Sequence, residues 1–285
     1  MSRFEVVSIV GVGLLGGSLA LALKRSGLAR RAIGVGRHEV SLEAACRVGA
    51  IDEATLSLSE GIAKADLVVF ATPVSRIREL LCAAAPALQP GQLVTDVGST
   101  KSTIVAAAED VLEGRAQFVG SHPMAGAEKR GVESARADLF KGATCFVTPT
   151  KRTDPAALQA ICNLWEGIGA HVRLIDPAEH DNLMAQVSHA PHVVAAALVN
   201  SLEEAALSAV GPGFLDLTRI ASSDPDLWAE ICAENAAPIG VALRRLISRL
   251  TELAQAVESG STEPIHTHFA RAKKRRDNLE QCAGR

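Results

Sequence analysis

Hydrophobic and polar positions follow two different periods along the chain, and the change comes near residue 175. Before it, short apolar runs rich in β-branched residues alternate with longer stretches whose apolar residues recur at helical spacing. Such alternation is typical of a mostly parallel sheet covered by helices on both faces. We therefore predict a doubly wound α/β domain over residues 1–175.

The predicted strands are short apolar runs that end in glycine or polar residues. In chain order they are 6–10, 32–35, 67–71, 93–96, 118–120, 144–147 and 171–175. From residue 176 onward only helical spacing remains, in the stretches 178–188, 193–207, 223–234, 239–257 and 266–281. Pro177 and the sequence Ser223-Asp224-Pro225 suit helix starts. We predict that residues 176–285 form an all-helical domain.

The stretch 193–207 is apolar on most of its sides, unlike an ordinary surface helix. A helix of this kind belongs in the core of a bundle or of a dimer. We therefore expect the helical domain to associate with a second copy of the chain, which would make the protein a homodimer.

A glycine-rich turn follows the first predicted strand without a gap. Gly11-Val12-Gly13-Leu14-Leu15-Gly16 leads directly into an alanine- and leucine-rich helix, the context in which Gly-x-Gly-x-x-Gly binds a dinucleotide. Gly11 permits the tight turn, Gly13 lets the backbone approach a pyrophosphate, and Gly16 lets helix and strand pack closely. We expect cofactor contacts at Gly11, Gly13, Leu14, Leu15 and Gly16, and at Thr72 and Pro73 after the third strand. The motif and its context therefore predict a Rossmann-type domain.

The end of the second strand bears on which cofactor binds. A carboxylate in this place normally binds the ribose 2′-hydroxyl of NAD, but here Gly36-Arg37-His38 stands there and the first acid is Glu39. The missing acid removes repulsion against a 2′-phosphate, and Arg37 can pair with that phosphate. We expect NADP to be favoured over NAD. The alternative is that Arg37 stacks on the adenine and either cofactor binds.

Two further strands end in polar residues on the same predicted rim. One run ends in Gly98-Ser99-Thr100-Lys101, and another in Gly120-Ser121-His122-Pro123, where we expect the backbone to turn at Gly120 and Pro123. Histidine has the side-chain pKa nearest neutrality, so His122 at this rim suits proton abstraction. The alternative is that His122 only hydrogen-bonds the turn.

The helical half carries two polar features. Ser188-His189-Ala190-Pro191-His192 places two histidines where we expect an interruption between two helices, and Arg219 stands in Thr218-Arg219-Ile220-Ala221. A guanidinium group between apolar neighbours suits a carboxylate ligand. The alternatives are a structural ion pair for Arg219 and helix-breaking hydrogen bonds for the histidines.

The overall composition limits the classes of partner. The 285 residues are 48% hydrophobic and 21% charged, and the formal net charge is −3. This balance argues against nucleic acid or a membrane surface as the main partner. Six cysteines without a Cys-x-x-Cys pair predict reduced thiols and no metal site, and neither a signal peptide nor a membrane-length apolar run is evident. We expect a cytoplasmic protein.

Taken in chain order, several segments resemble the prephenate/arogenate dehydrogenases of tyrosine biosynthesis. They are 11–18, 96–101, 120–126, Glu128, Gly131, 188–192 and 218–225. The resemblance implies a Rossmann domain, a helical dimerisation domain, and oxidative decarboxylation of prephenate to 4-hydroxyphenylpyruvate with hydride transfer to NAD(P)+. It also leads us to expect the form without a regulatory or chorismate mutase domain.

The resemblance further implies roles for individual residues. His122 would accept the proton of the substrate 4-hydroxyl, with Ser99 helping to orient it, and no metal is needed. Arg219 would hold a substrate carboxylate, and His189 or His192 the side-chain end. Glu128 would lie near the mouth of the site, although Ala127 stands before it where the family often has threonine.

Three alternatives stay open at this point. The first is that the substrate is arogenate, or both compounds, since prephenate and arogenate differ only in a keto or amino group on the side chain. A β-hydroxyacid dehydrogenase would share the fold but use a lysine of the second domain, and residues 177–260 contain no lysine. A regulatory or scaffolding protein would bind the cofactor without turnover.

Overall fold

The structure is a computed structural model that describes residues 4–126 and 131–283, with side chains to residue 279. The chain divides into two compact units, Met1–Ala236 and Ala237–Arg285. The last strand of the sheet ends at Leu174. The domain boundary expected from the sequence near residue 175 stays a prediction.

The first unit is built on one sheet of eight strands. In chain order the strands are β1 (Phe4–Val10), β2 (Ala29–Val35), β3 (Glu53–Thr55), β4 (Leu67–Phe70), β5 (Leu93–Asp96), β6 (Gln117–Pro123), β7 (Thr144–Thr148) and β8 (His171–Leu174). Their order across the sheet is β3-β2-β1-β4-β5-β6-β7-β8. Neighbours from β3 to β6 run parallel, β6 and β7 run antiparallel, and β7 and β8 run parallel.

Thirteen α-helices lie in the described part of the chain. In chain order they are α1 (Leu14–Arg25), α2 (Glu39–Arg47), α3 (Leu58–Ile62), α4 (Val74–Ala84), α5 (Ser102–Val111), α6 (Pro155–Gly167), α7 (Pro177–Met184), α8 (Ala190–Asn200), α9 (Glu204–Leu207), α10 (Pro212–Thr218), α11 (Pro225–Glu234), α12 (Ala236–Glu258) and α13 (Thr262–Ala283). The prediction of a Rossmann-type sheet followed by helices is confirmed.

The sheet is buried on both faces because successive strand residues point to opposite sides. On β4, Leu67 and Val69 belong to one hydrophobic cluster, whereas Val68 and Phe70 belong to the other. Helices α1, α2 and α6 cover the first face, and α3, α4 and α5 cover the second. The strand order reverses between β1 and β4, so the crevice for a ligand opens at their carboxyl ends.

The helix starts predicted at prolines are confirmed. Asp176 caps α7 by accepting hydrogen bonds from the N–H groups of Ala178 and Glu179, with Pro177 in the first turn. Asp224 caps α11 in the same way, with Pro225 in the first turn. Both aspartates satisfy N–H groups that have no partner within the helix.

Two predictions about the helical half were wrong. Residues 188–192 do not separate two helices, because a π-helical turn, Ala185–His189, joins α7 to α8. The N–H of Ala190 donates five residues back to Ala185, and Pro191, which has no N–H, fits just after this turn. The helix predicted over 193–207 instead ends at Asn200, and α9 follows after a turn.

The second unit consists of the remainder of α12 and the helix α13. Along α12, Ile247, Leu250 and Val257 lie on one side of the helix and are each more than half exposed in the single chain. Of the helices in residues 4–126 and 131–283, none combines the length and the apolar character needed to cross a membrane.

Candidate functional site

The glycine-rich turn between β1 and α1 has the shape of an anion cradle. Gly11 has φ +98°, and a Cβ on it would lie 2.7 Å from the Ala71 carbonyl oxygen. A Cβ on Gly16 would lie 2.2 Å from the Gly11 carbonyl oxygen, so helix and strand are in close contact there. A Cβ on Gly13 would meet nothing within 4 Å. The N-terminus of α1 therefore faces open space beside a tightly packed turn.

A cavity of about 320 Å³ opens in front of this turn. Arg37, Thr72 and Pro73 line it together with Gly11 and Gly13, and Leu14 and Leu15 lie half-buried in the first turn of α1. The buried Thr72 hydroxyl oxygen has no hydrogen-bond partner among the described residues. An open helix N-terminus and an unpartnered hydroxyl fit the phosphates and ribose of a dinucleotide.

His122 lies inside the sheet, at the carboxyl end of β6. It pairs across the antiparallel ladder with Phe146 of β7 and is 8% exposed. The expected turns at Gly120 and Pro123 were wrong, since Gly120 pairs with Thr148 and Pro123 with Cys145 within the strand. A Cβ on Gly120 would lie 2.5 Å from the Thr148 hydroxyl oxygen, so glycine serves close packing rather than a turn.

The ring of His122 ends a chain of three side chains. His122 Nδ1 lies 2.9 Å from Nε2 of His180, and His180 Nδ1 lies 2.9 Å from Oδ1 of Asp181. The Asp181 carboxylate accepts hydrogen bonds of 2.8 Å from the backbone N–H groups of Lys101 and Ser102. Helix α7 is thereby tied to the loop that follows β5.

The loop after β5 also contains a fully buried ion pair. Asp96 and Lys101 are both 0% exposed and are in direct contact. Asp96 accepts hydrogen bonds from the N–H groups of Gly98 and Ser121 as well. These bonds hold the loop against β6, and half-buried Ser99 lies between the two charged residues in sequence. The Ser99 hydroxyl makes no hydrogen bond with a described residue, so it can take a ligand.

The two histidines of the 188–192 segment lie in different surroundings. His189 is buried, and its Nδ1 accepts from the side-chain amide of Asn235 at 3.0 Å. His192 donates from Nδ1 to the Ser188 carbonyl oxygen at 2.9 Å and stacks on Trp228 with ring centroids 3.6 Å apart. The second nitrogen of the His192 ring is therefore an acceptor.

Arg219 stands at the start of a short 3₁₀ turn, Arg219–Ser222, and its side chain is exposed. Burial lowers the pKa of His192, its hydrogen bond to Ser188 raises it, and the positive charge of Arg219 lowers it further. The structure thus brings Arg219 into electrostatic contact with the histidine segment. Glu128, the remaining predicted site residue, lies outside the described residues.

Burial keeps these imidazoles neutral near pH 7. Burial lowers the pKa of His122 well below its ordinary value, and the neighbouring His180, Lys101 and His189 lower it further. Burial also lowers the pKa of His189, to about 4. A neutral His122 has a lone pair with which to accept a proton.

Sequence reasoning missed several residues of this site. They are His180, Asp181, Trp228, Asn235 and the pairing of Lys101. One signal was present, since a His-Asp pair directly follows the capped start of α7. In the described part of the chain, no three His, Cys, Asp or Glu side chains come together in a way that could hold a metal ion.

Comparison with known proteins gives family matches over most of the chain. The family "prephenate dehydrogenase, nucleotide-binding domain" matches residues 19–174, and the family "prephenate dehydrogenase, dimerization domain" matches residues 176–271. Prephenate dehydrogenase of Bacillus subtilis is 37% identical over 282 residues, which cover 96% of this chain and 76% of that protein. The chain belongs to the prephenate dehydrogenase family.

Solved structures of the family have the same fold. Prephenate dehydrogenase of A. aeolicus, in complex with hydroxyphenyl propionate and NAD+, is 36% identical with a TM-score of 0.90, and the match covers 96% of this chain and 98% of that one. Arogenate dehydrogenase of Synechocystis is 30% identical with a TM-score of 0.84, covering 96% of this chain and 100% of that one. The resemblance found in the sequence is confirmed, and the β-hydroxyacid dehydrogenase alternative is set aside.

Proposed function

We propose that this member of the prephenate dehydrogenase family oxidises and decarboxylates prephenate to 4-hydroxyphenylpyruvate, a step of tyrosine biosynthesis, with NAD(P)+ as hydride acceptor. The observation that carries the proposal is His122, a buried imidazole that burial keeps neutral. It ends a strand on the same edge of the sheet as the glycine cradle. We propose prephenate as the substrate because the chain belongs to the prephenate dehydrogenase family.

The reaction requires a hydride to leave the ring carbon that carries the 4-hydroxyl and a proton to leave that hydroxyl. When bound at the glycine cradle, NAD(P)+ would supply the hydride acceptor. His122 accepts the 4-hydroxyl proton on the nitrogen that does not face His180, and Ser99 hydrogen-bonds the same hydroxyl. General-base catalysis of this kind contributes roughly two to four decades of rate.

His122 also returns the proton that it takes from the substrate. Loss of the hydroxyl proton and of the hydride leaves a dienone that still carries the ring carboxylate. When that carboxylate departs as CO₂, its bonding electrons complete the aromatic ring and give a phenolate oxygen. His122 returns its proton to this oxygen, so the histidine ends the cycle neutral and no net proton is taken up.

The substrate dianion needs cationic and polar partners. We assign Arg219 to one carboxylate, because its guanidinium can form two parallel hydrogen bonds with such a group. His189 and His192 are candidates for the side-chain end, where prephenate has a keto group and arogenate an amine. Glu128, by resemblance alone, is assigned to the mouth of the site.

For the cofactor, we propose a preference for NADP over NAD. The described residues that line the cavity in front of the cradle include Arg37 and Arg76 and no acidic side chain. A 2′-phosphate would meet two guanidinium groups there, of which that of Arg76 also lies 3.3 Å from the Glu79 carboxylate. Arg37→Ala should weaken NADP binding much more than NAD binding, whereas Arg78→Ala, outside the lining, should change neither. Equal losses for both cofactors in Arg37→Ala would mean that Arg37 only stacks on the adenine.

We also propose that the protein works as a homodimer in the cytoplasm. Besides the match to a dimerization-domain family, Leu215 and Leu217 on α10 and Ile247 and Leu250 on α12 are each more than half exposed in the single chain. A second copy would cover such apolar surface. Sedimentation at micromolar concentration should give about twice the 29.8 kDa of one chain. A monomer that retains activity would argue against the dimer.

The experiment for the main proposal is a matrix of two substrates and two cofactors. Purified protein is assayed with prephenate and arogenate, each with NAD+ and NADP+, alongside His122→Asn. Turnover of prephenate with a kcat that falls by roughly two to four decades in His122→Asn, at unchanged cofactor affinity, is expected. Turnover of arogenate alone, or of both compounds, would favour the second candidate, for which the similarity to an arogenate dehydrogenase speaks. A near-normal kcat in the variant would exclude His122 as the base.

A further inference from the structure

The contacts on the inner side of His122 determine which of its two ring nitrogens is available to substrate. His180 is fully buried, and Asp181 is 5% exposed, so neither exchanges hydrogen bonds freely with water. Phe146 stands edge-on to the His180 ring at 5.6 Å and helps to exclude water. Each nitrogen between Asp181 and His122 therefore has one partner, and the direction of each bond can be assigned.

The assignment starts at Asp181. Burial raises the pKa of this carboxyl, but hydrogen bonds from His180, Ser102 and Lys101 outweigh burial and lower it overall. An ionised carboxylate has no proton to donate, so the Nδ1–H of His180 must donate to it. Because burial lowers the pKa of His180, this ring is neutral, and its Nε2 holds a lone pair rather than a second proton.

That lone pair has a single partner. His180 Nε2 faces Nδ1 of His122 at 2.9 Å, so the His122 Nδ1–H donates to it. The other nitrogen of His122, Nε2, is then left without a proton. We propose that His180 and Asp181 are positioning residues that hold His122 in its Nδ1-protonated tautomer, so that Nε2 is the base that takes the substrate proton.

The same chain of bonds acts after the proton is taken. His122 then carries a positive charge, and its Nδ1–H donates more strongly to His180, whose own Nδ1–H polarises towards the Asp181 carboxylate. Lys101 and His189 also face His122, and the charge of Lys101 opposes protonation. Asp181 lies at the far end of the chain as the compensating anion.

This inference rests on the proposed role of His122, but the tautomer can be measured without turnover. In protein labelled with ¹⁵N-histidine, the ring nitrogens of His122 are assigned by the signals lost in His122→Asn. We expect a protonated Nδ1 and an unprotonated Nε2. A His122 protonated at Nε2 in the wild-type protein would overturn the proposal.

Asp181→Leu removes the acceptor of the His180 Nδ1–H, so nothing then holds the proton of His180 on Nδ1. His180 would then carry its proton on Nε2 and donate to His122, which moves the His122 proton to Nε2. We expect the ¹⁵N shifts to show this exchange and kcat to fall at least about a hundredfold, as for a catalytic histidine held in the wrong tautomer, with KM changed little. Asp176→Leu is the matched control on the same helix, since it removes a carboxylate that caps the helix but does not contact His180.

A second pair of variants keeps the test decisive if Asp181→Leu does not fold. His180→Gln retains an oxygen that can accept from His122 Nδ1–H, whereas His180→Leu has none. We expect His180→Gln to keep the tautomer and lose roughly tenfold in kcat, and His180→Leu to lose the tautomer and at least about a hundredfold. Equal losses in both, or a lower melting temperature in Asp181→Leu with tautomer and kcat unchanged, would mean that these hydrogen bonds only stabilise the fold. The expected tautomer in a protein that does not turn over prephenate would refute the proposed function and leave the assignment standing.

Discussion

The buried pair of Asp96 and Lys101 lends itself to the sharpest stability prediction. Lys101→Met keeps the length and apolar part of the side chain but removes the charge, which leaves the Asp96 carboxylate buried with only two backbone N–H donors. Removing one partner of a buried ion pair typically costs about 3–5 kcal/mol, because the remaining charge is uncompensated. With two hydrogen bonds retained, we expect the free energy of unfolding to fall by about 3 kcal/mol.

The assay is urea unfolding followed by tryptophan fluorescence. Trp165 reports close to the pair, since its ring N–H donates to Ser121, whose backbone N–H in turn donates to Asp96. Lys24→Met is the matched control, because Lys24 forms a partly exposed pair with Asp52 at 2.5 Å and such pairs contribute about 0–1 kcal/mol. The loss of unfolding free energy in the double variant Asp96→Asn/Lys101→Met should be about 2 kcal/mol smaller than the sum of the losses in the two single variants.

The same variant has a consequence for activity. Burial is the main cause of the low pKa of His122, and the charge of Lys101 lowers it further, so removal of that charge should raise the pKa part of the way towards the ordinary value of about 6.5. Activity requires unprotonated His122 and falls as the pH drops through its pKa. The acid limb of kcat/KM, which should lie below about pH 6.5 in the wild type, should therefore move to higher pH in Lys101→Met. Equal destabilisation in Lys101→Met and Lys24→Met, or an unmoved acid limb, would refute the reasoning.

Three further predictions concern the cofactor loop, the substrate anchor and acid stability. Gly13→Ala should fold normally, because its Cβ meets nothing, but it should bind NAD(P)+ at least about tenfold more weakly. Gly16→Ala should have a lower melting temperature, because its Cβ would overlap the Gly11 carbonyl oxygen. Cofactor titrations and thermal melts compare the two variants. Arg219→Ala should raise KM for prephenate roughly ten- to hundredfold at little changed kcat, with partial recovery in Arg219→Lys, and a lower melting temperature at normal KM would make the arginine structural. Between pH 7 and pH 4, proton binding at His189 should lower the free energy of unfolding, measured by urea titration, by up to about 3 kcal/mol. The pKa of this histidine is about 4 in the fold and about 6.5 unfolded, so the unfolded chain binds the proton first, and His189→Gln should flatten this slope.

Local patterns allowed the sheet and the cofactor loop to be predicted from the sequence. The first strand, the glycine motif and α1 are contiguous, and each is visible in a short window of residues. The edge strand β3 has only three residues and half-exposed or exposed side chains, so it carries no apolar run. Gly120 was misjudged because what requires glycine there is the Thr148 side chain on the neighbouring strand, which no local window contains.

The candidate site was predicted only in part, for a similar physical reason. His122 stood out because it ends an apolar run, but its partner His180 lies 58 residues away and is brought to it by the docking of α7 on the sheet. The π-helical turn before α8 depends on one bond to the fifth preceding residue, which leaves apolar periodicity almost unchanged. Contacts between elements, unlike strands and caps, leave little trace in a single sequence.

The most direct test of the account follows CO₂ and reduced cofactor together. Prephenate labelled with ¹³C in its ring carboxylate is turned over by the wild-type protein and by His122→Asn, and labelled CO₂ and NAD(P)H are measured in the same samples. We predict equal amounts of the two products in the wild type, and both rates lower by roughly two to four decades in the variant. Reduced cofactor without CO₂, or undiminished release of both by His122→Asn, would contradict the proposal that His122 initiates an oxidative decarboxylation.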